Sequence, residues 1–321
     1  MARRQAPVGP INDNTNGFGE ADDNVVQPFQ LENTQLRGRA VRLGSVLDEI
    51  LGPHDYPEPV AHLVAETVTL AALLSSMLKY EGIFTLQTKG DGPVGMLVAD
   101  ITSKGEVRGC ATFDKARVAK FGDELDLLPI FLGKGYIAFT VDQMGKTDRY
   151  QGIVELKGTS LVECVRHYFS QSEQIDTGIK IAAGRRDGKW RAGGVMLQLM
   201  PEDAQGDSML ARKEDWSRSM TLLETMKDVE ILDPVLHSRE LLLRLFHEEG
   251  VRVFKPLGIT KGCRCDAKKI EKVMETLTDD DIDYLAESGT IKMHCEFCSK
   301  DFVLEPDAVK KGSGKKKPKK K

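Results

Sequence analysis

The spacing of apolar residues along the chain changes its period twice. The longest apolar run, HLVAETVTLAALLSSML at 62–78, would place apolar side chains on nearly every face of a helix. A surface helix has a single apolar stripe, so a helix that is apolar all round is expected to be buried. The run therefore predicts a helix that lies between two layers of the fold.

From residue 82 the period becomes two, which is the period of β-strands. GIFTLQTKGDGPVGMLVADI at 82–101 predicts two strands around a GDG turn. Further strands are predicted in GEVRGCATF, GYIAFTVDQ, RYQGIVELKG, TGIKIAAG and WRAGGVMLQLM. A helix is predicted in SLVECVRHYF, where Ser160 and Glu163 have the spacing of a capping box. Together these segments predict an α+β core over 33–201, with antiparallel β layers and packed or buried helices.

The segments on either side of this core differ from it in composition. Residues 1–32 are rich in Asn, Asp, Gly and Pro and have no period, which predicts a disordered leader. Residues 202–262 are charged and have a helical pattern, which predicts a helical linker that opens more easily than the core.

Methionine is concentrated around the start of the predicted linker. Met196 and Met200 fall on a predicted strand and are expected to fill the core. Met209, Met220 and Met226 fall in helical segments, where core packing and partner binding both remain open, since flexible methionine suits either role.

Four of the six cysteines lie in two close pairs near the end of the chain. KGCRCDAKKI contains Cys263 and Cys265, and HCEFCSK contains Cys295 and Cys298. Two such pairs supply the four ligands of a tetrahedral Zn²⁺ site, and a site with four protein ligands is structural rather than catalytic. The pattern predicts one Zn²⁺ in a small module over 263–309.

The same thiols also suit a redox switch, so two interpretations remain open at this point. Each pair is close enough in sequence to form a local disulfide. The basic residues near the first pair favour the oxidisable thiolate, and they are Lys261, Arg264, Lys268 and Lys269. Oxidation would remove the metal ligands and unfold a module that needs the metal to fold. A purely structural zinc clip fits the spacing as well.

The remaining histidines and cysteines give no second site. His294 is expected to face solvent or to support the metal site without binding the ion. Cys110 and Cys164 fall in a strand and a helix and are expected to be buried and inert. No nucleotide-binding loop, Gly-x-Ser-x-Gly or His-Glu-x-x-His motif occurs, and the six histidines form no ligand set, so we expect a protein that is not an enzyme.

Charge and hydropathy indicate the compartment and the partners. No apolar signal segment and no membrane-spanning run is found, which predicts a cytoplasmic protein with reduced thiols and no membrane partner. The net charge is −4, and KKGSGKKKPKKK at 310–321 contributes eight positive charges, which leaves −12 on the rest of the chain. An acidic body disfavours nucleic-acid binding, and the lysine tail is expected to be disordered.

Four longer motifs show a resemblance to a known family. They are LKYEGIFTLQTKGDGPVGMLVAD at 78–100, GIVELKGTSLVECVRHYFSQSEQIDT at 152–177, GGVMLQLMP at 193–201 and LLRLFHEEGVRVF at 242–254. With the two cysteine pairs, their order resembles the 33 kDa chaperonin family, the bacterial redox-regulated heat-shock holdases. The similarity spans about 33–309, so it excludes the leader and the tail.

The resemblance implies a function and a mechanism. When reduced, the four cysteines would hold zinc and the chaperone would be inactive. Oxidation would form the disulfides Cys263–Cys265 and Cys295–Cys298, release zinc, unfold the module and destabilise the linker at 202–262. The exposed apolar surface would then bind unfolded or partially folded client proteins without ATP, with the chain as a homodimer.

Two other functions remain as alternatives. A zinc-stabilised protein could bind nucleic acid through the lysine tail at 310–321, which predicts salt-sensitive binding. A thiol–disulfide oxidoreductase could use Cys295 and Cys298, although no thioredoxin-like βαβ pattern accompanies them.

Overall fold

The computed structural model divides the chain into two compact units, Met1–Lys261 and Gly262–Lys321. Within them the structure describes residues 23–122, 128–143, 149–200, 209–266, 270, 274, 277–286 and 289–306. Residues 1–22 of the expected leader and residues 310–321 of the expected tail lie outside the described residues.

The first unit contains twelve strands and eight α-helices among its described residues. The strands are β1 Val25–Leu31, β2 Leu36–Leu43, β3 Gly82–Gly90, β4 Val94–Thr102, β5 Glu106–Phe113, β6 Gly135–Gln143, β7 Arg149–Glu155, β8 Thr177–Arg186, β9 Lys189–Leu199, β10 Val251–Val253, β11 Leu257–Gly258 and β12 Thr260–Lys261. The helices are α1 Ser45–Leu51, α2 Glu58–Ser75, α3 Lys115–Val118, α4 Leu128–Leu132, α5 Leu161–Tyr168, α6 Met209–Thr225, α7 Asp228–Ile231 and α8 Ser238–Phe246.

Two six-stranded sheets form the framework of this unit. The first sheet has the strand order β10-β1-β2-β9-β8, with β11 also paired to β1, and all of its pairings are antiparallel. The second sheet has the order β12-β5-β4-β3-β6-β7, and only the β12–β5 pairing is parallel. The predicted α+β class with antiparallel layers is confirmed.

Helix α2 lies between the two sheets and contacts strands of both. Almost every residue of this helix is buried, as its all-round apolar pattern predicts. Its two buried threonines need no partner outside the helix, because Thr67 Oγ1 donates to the Leu63 carbonyl and Thr69 Oγ1 to the Ala65 carbonyl, each at 2.7 Å. The predicted helix between layers is confirmed.

Helices α6, α7 and α8 cover the opposite face of the first sheet. Strand β2 shows the division, because Val41 and Leu43 pack in the core around α2 whereas Leu36 and Ala40 pack in a second core with these helices. The helices and the residues that join them contribute to this second core Leu223, Met226, Ile231, Leu232, Leu236, Leu241, Leu242, Leu245 and Phe246.

The segment expected to form a separate linker thus belongs to the first compact unit. Its residues 209–261 supply the three helices on the first sheet and also strands β10, β11 and β12. The expected core of 33–201 is therefore too short, since both sheets take strands from beyond residue 201. That this segment opens more easily than the core stays a prediction.

The expected disordered leader over 1–32 is wrong in its last part, because Val25–Leu31 forms β1 between β2 and β10. Gln27 and Pro28 interrupt the apolar pattern there, yet both suit the strand. The Gln27 side-chain amide is buried and donates to the Phe254 carbonyl at 2.6 Å, and the Pro28 carbonyl accepts the Phe254 N–H at 2.9 Å.

Helix α5 begins at the predicted cap. The Ser160 hydroxyl accepts the Glu163 N–H at 3.2 Å, but the Glu163 carboxylate accepts from the Thr159 N–H at 2.6 Å instead of completing a box with Ser160. One turn of π-helix, Phe169–Glu173, follows α5, and Gln174 ends it in the left-handed region with φ of 54°.

The second unit has a small apolar core. It contains α9 Asp279–Leu285 and the antiparallel strands β13 Ile291–His294 and β14 Asp301–Leu304. A capping box begins α9, with Asp281 N–H donating to Thr278 Oγ1 and Thr278 N–H to the Asp281 carboxylate, both at 3.2 Å. The buried core cluster is Met274, Ile282, Ile291 and Leu304.

Candidate metal centre

The second pair of cysteines lies in the turn that joins β13 to β14. The turn is held by hydrogen bonds from Cys295 N–H to the Lys300 carbonyl at 3.0 Å and from Ser299 N–H to the Cys295 carbonyl at 2.8 Å. Cys298 N–H also donates to the Cys295 carbonyl, and Ser299 has a positive φ of 53°. This tight backbone directs both sulfurs to one place.

The first pair lies in an irregular segment at the start of the second unit, and its sulfurs reach the same place. Cys263 Sγ is 3.3 Å from Cys265 Sγ and 3.7 Å from Cys295 Sγ. Cys265 Sγ is 3.5 Å from Cys298 Sγ, and all four sulfurs lie within 4.8 Å of one another. The structure thus brings together all four cysteines that the sequence predicts as ligands.

These separations fit a tetrahedral metal site and exclude formed disulfides. Sulfurs about 2.3 Å from a Zn²⁺ lie roughly 3.8 Å apart in a tetrahedron, which is close to the observed contacts. A disulfide would need a separation of about 2.05 Å. All four thiols are free and partly buried, so a reduced cluster of four sulfur donors is present. Sulfur-only donor sets select Zn²⁺, Cu(I) or iron–sulfur clusters.

His294 lies beside the cluster and is engaged elsewhere. Its Nδ1 is 2.7 Å from the Asp301 carboxylate, its partner across the β13–β14 register. Among the described residues, the group of side chains close enough together to bind one metal ion consists of the four cysteines. The expectation that His294 is not a ligand is consistent with this ion pair.

Burial and hydrogen bonding shift the pKa values of three of the four thiols. Burial alone would raise the pKa of the Cys263 thiol, but hydrogen bonds from the Cys265 backbone and from the neighbouring thiols bring this pKa down to about 7. Burial, followed by hydrogen bonding to the Cys263 sulfur, raises the pKa of Cys265 above its ordinary value. Burial also raises the pKa of Cys295. Of these three thiols, only Cys263 has a pKa below its ordinary value.

Two of the four basic residues expected near the first pair can be placed in the structure. Lys261 Nζ donates to the Glu49 carbonyl at 2.6 Å within the first unit. Arg264 is described and has an interaction partner, whereas Lys268 and Lys269 lie outside the described residues.

Cys110 and Cys164 belong to the first unit and are buried, as expected. The Cys164 thiol donates to the Lys157 carbonyl at 3.3 Å, and burial raises its pKa. A buried thiol with a raised pKa reacts slowly, because the thiolate is the nucleophile.

The methionines divide between core and surface. Met196 and Met226 are fully buried, Met220 is partly buried in the second core, and Met209 is 67% exposed at the start of α6. The core role is thus confirmed for Met196 and found also for Met226, and Met209 alone of the helical three presents a largely free side chain.

Sequence reasoning missed a set of polar contacts that attach α6, α7 and α8 to the first sheet. The buried Arg42 of β2 donates to the carbonyls of Leu236 and Asp233, the latter at 2.7 Å. Lys180 Nζ donates to the Glu224 carbonyl at 2.8 Å, and Arg212 of α6 donates to the Met200 carbonyl at 2.7 Å. A signal for Arg42 is present in the sequence, since it lies between the apolar residues Val41 and Leu43, and a charged residue that is buried needs a partner.

The chain is similar to chaperones of one family over most of its length. A family model described as Hsp33 protein matches residues 24–305. The 33 kDa chaperonin of Caulobacter vibrioides (strain NA1000 / CB15N) is 40% identical over 293 residues, which cover 88% of this chain and 95% of that protein. The 33 kDa chaperonin of Escherichia coli (strain K12 / DH10B) is 37% identical over 277 residues, which cover 86% of this chain and 90% of that protein.

A solved structure shows the same fold. The crystal structure of the 33 kDa chaperonin from Thermotoga maritima superposes with a TM-score of 0.75 at 20% identity, over 90% of this chain and 97% of that one. The relatives bear the name of a chaperone and not of an enzyme. Among the described residues, no helix has the length and apolar character needed to cross a membrane.

Proposed function

The chain belongs to the Hsp33 family of chaperones, and on that premise we propose that it is a redox-regulated, ATP-independent holdase. One observation carries this proposal: four free thiols converge within 4.8 Å of one another at the end of a chain that matches the family over 24–305. Its place of action would be the cytoplasm, where thiols are kept reduced.

In the reduced state, Cys263, Cys265, Cys295 and Cys298 would hold one Zn²⁺, which supplies the second unit with stability that its small core lacks. Four buried apolar residues form the core cluster of that unit among the residues described. A core of this size rarely stabilises a domain without a metal or disulfides. The four sulfurs would therefore bind the ion that keeps the module folded, and they would also be the atoms that react with the oxidant.

In the oxidised state, the pairs would become the disulfides Cys263–Cys265 and Cys295–Cys298. Each pair of thiols gives two protons and two electrons to one hydrogen peroxide, so that one disulfide and two water molecules form. Disulfide sulfurs are no longer thiolate ligands, and the module then loses its capacity to hold the ion and unfolds.

Unfolding of the module would release the segment 202–262 from the first sheet. The described residues of this segment, 209–262, cover the apolar residues Phe29, Leu31, Leu36, Val195 and Leu197 with an apolar face of their own. Both faces would become available to unfolded or partially folded clients, with Met209, Leu210 and Val235 already exposed in the reduced chain. Association of two oxidised chains would bury part of the newly exposed surface.

The proposal is tested by light scattering from a thermally unfolding client, with the reduced, zinc-loaded chain compared with the chain treated with peroxide at mild heat. Suppression of aggregation by the oxidised chain alone is expected. Cys110→Ala is the matched control, since its buried thiol lies outside the cluster, and it should switch as the parent does. Equal suppression by both redox states, or by neither, would contradict the proposal.

The nucleic-acid alternative depends on residues 310–321, which lie outside the described residues, and it stays a prediction. Deletion of 310–321 separates the two functions. A holdase should suppress aggregation without the tail, whereas salt-sensitive nucleic-acid binding should disappear with it.

A further inference from the structure

A basic cleft opens at the point where helix α2 ends. On β2, Arg37 and Arg39 point to the same face as Val41 and Leu43, because strand side chains alternate. Val41 and Leu43 are covered by α2, but the helix ends at Ser75, and beyond it the face borders a cleft of about 1000 Å³. We call this the basic cleft, after its cations Arg37, Arg39, Lys79, Arg252 and Lys255.

The register of the first sheet explains why these cations meet although they are distant in sequence. Arg37 pairs with Gln30 of β1, and Gln30 pairs with Arg252 of β10. Directly paired residues share a face, so the two arginines lie in one row about 10 Å apart, with an amide between them.

Within the part of the chain that the structure describes, four of the five cations of the basic cleft have no carboxylate partner. No Asp or Glu is among its described lining residues. Arg37 donates to the Gln198 side chain at 3.4 Å, and Arg39 donates to the carbonyls of Ser76 and Gly38. Arg252 has an acidic neighbour among the described residues, with Glu32 at 3.6 Å. Burial and the charge of Arg37 lower the pKa of the Arg39 guanidinium to about 10, as expected for adjacent positive charges without an anion.

An apolar pocket of about 430 Å³ adjoins the basic cleft, and the two share Arg37, Met77, Leu78, Lys79 and Tyr80. We call it the aromatic pocket, after its lining residues Phe84, Phe139, Tyr150, Tyr168 and Phe169.

Three polar side chains at the aromatic end of the pocket form hydrogen bonds with one another. The hydroxyls of Tyr150 and Tyr168 both donate to the Glu173 carboxylate, Tyr168 at 2.6 Å. Glu173 is placed there by the π-helical turn that follows α5. Because these groups are already paired, a ligand in the pocket would meet aromatic and aliphatic surface, and its charge would have to lie at the other end, in the basic cleft.

We propose that the basic cleft and the aromatic pocket form one binding site for a single-chain anionic amphiphile. Its phosphate or carboxylate head lies at Arg37, Arg39 and Lys79, where guanidinium groups can donate paired hydrogen bonds. Its alkyl chain enters the aromatic pocket. The site lies within the first unit and uses none of the four clustered cysteines. Part of the basic cleft, including Arg252 and Lys255, belongs to the segment 202–262, so the site is tested in the reduced chain, where this segment is in place.

The test is calorimetric titration of the reduced, zinc-loaded full chain with octyl phosphate and with octanoate, each below its micelle-forming concentration. One ligand per chain should bind, and the tighter of the two identifies the head. Across hexyl, octyl and decyl phosphate, the affinity should rise about fourfold for each added methylene group. Inorganic phosphate, which is the head alone, and octanol, which is the tail alone, should bind far more weakly.

Variants locate the site. Arg37→Gln and Lys79→Gln should each weaken octyl phosphate binding by about tenfold, since each removes a charge-assisted contact. Lys189→Gln is the matched control, because Lys189 is an exposed cation at the β8–β9 turn, and it should bind as the parent does. Arg39 is left unchanged because it also caps α2 through the Ser76 carbonyl.

Four results would overturn the proposal. They are equal binding by inorganic phosphate, equal binding by octanol, affinity that does not depend on chain length, and undiminished binding by both cleft variants. Uptake of many ligands per chain with loss of helical circular dichroism would show detergent-like unfolding and would overturn it as well.

Discussion

The two compact units of the chain are stabilised by different means. In the first unit, α2 is buried between two sheets, and a second core lies under helices α6 to α8. In the second unit, the described core cluster has four residues, and four thiols converge beside a two-stranded hairpin. Apolar burial does not depend on the redox state, whereas thiolate ligation does. We therefore expect an oxidant to unfold the second unit and to leave the framework of the first unit intact.

The largest effect should come from removing one sulfur. Cys298→Ser should release the metal and unfold the second unit, because the binding free energy of a structural Zn²⁺ is about 10 kcal/mol or more. The strands around α2 should keep their structure. Zinc release measured with a colorimetric chelator, together with amide protection of β13 and β14, checks this. A folded module that retains zinc stoichiometrically would show that four sulfurs are not required.

The next effect tests the attachment of the helices to the first sheet. Phe246 is fully buried and stacks on Phe29, with ring centroids 6.2 Å apart. Phe246→Ala should destabilise this layer by about 3–5 kcal/mol and should give the reduced chain part of the chaperone activity. The control is Val235→Ala, a position 75% exposed. If reduced Phe246→Ala is destabilised yet suppresses no client aggregation, release of this layer is not what activates the chain.

A change in the core around α2 should act on the first unit alone. Leu70 is fully buried in that helix, and Leu70→Ala should lower the free energy of unfolding by about 2–5 kcal/mol in urea. The metal content of the reduced chain should not change. Loss of zinc from this variant under conditions where the first unit stays folded would mean that the two units are not stabilised separately.

The smallest effect concerns pH. Hydrogen bonds from Tyr150 and Tyr168 hold the pKa of Glu173 below its ordinary value of 4.5. A carboxylate with a depressed pKa stabilises the folded state above pH 4.5, and this contribution is lost as the pH falls through the folded-state pKa. Glu173→Gln should therefore lower stability at pH 7 by up to about 1 kcal/mol, given its partial solvent screening, and by less at pH 3. Urea unfolding at the two pH values measures this, and an equal loss at both would contradict the ionic origin.

The sequence is most informative where local pattern determines structure. The all-round apolar run predicts the buried helix α2. The spacing of the four cysteines predicts the cluster, because the two sulfurs of each pair are already close in sequence and the fold has only to bring one pair to the other. Strand β1 was missed because Gln27 and Pro28 look unsuited to a strand until Phe254, far along the chain, satisfies both.

The attachment of the linker helices and the basic cleft depend on tertiary neighbours. An amphipathic pattern in α8 indicates that one face is buried but does not say against which sheet. Arg37 and Arg252 are ordinary polar positions in sequence, and only the β10-β1-β2 register places them in one row. Strands of two or three residues, such as β10 and β12, are too short to show a period.

The central claim is that oxidation of the four thiols unfolds the second unit and releases the helices from the first sheet. Hydrogen exchange of the full chain, read by mass spectrometry before and after peroxide treatment, tests it most directly. The account predicts loss of protection in α9, β13, β14 and in α6 to α8, with α2 and the central strands still protected. Two formed disulfides with α6 to α8 still fully protected, in a chain that nevertheless suppresses client aggregation, would contradict it.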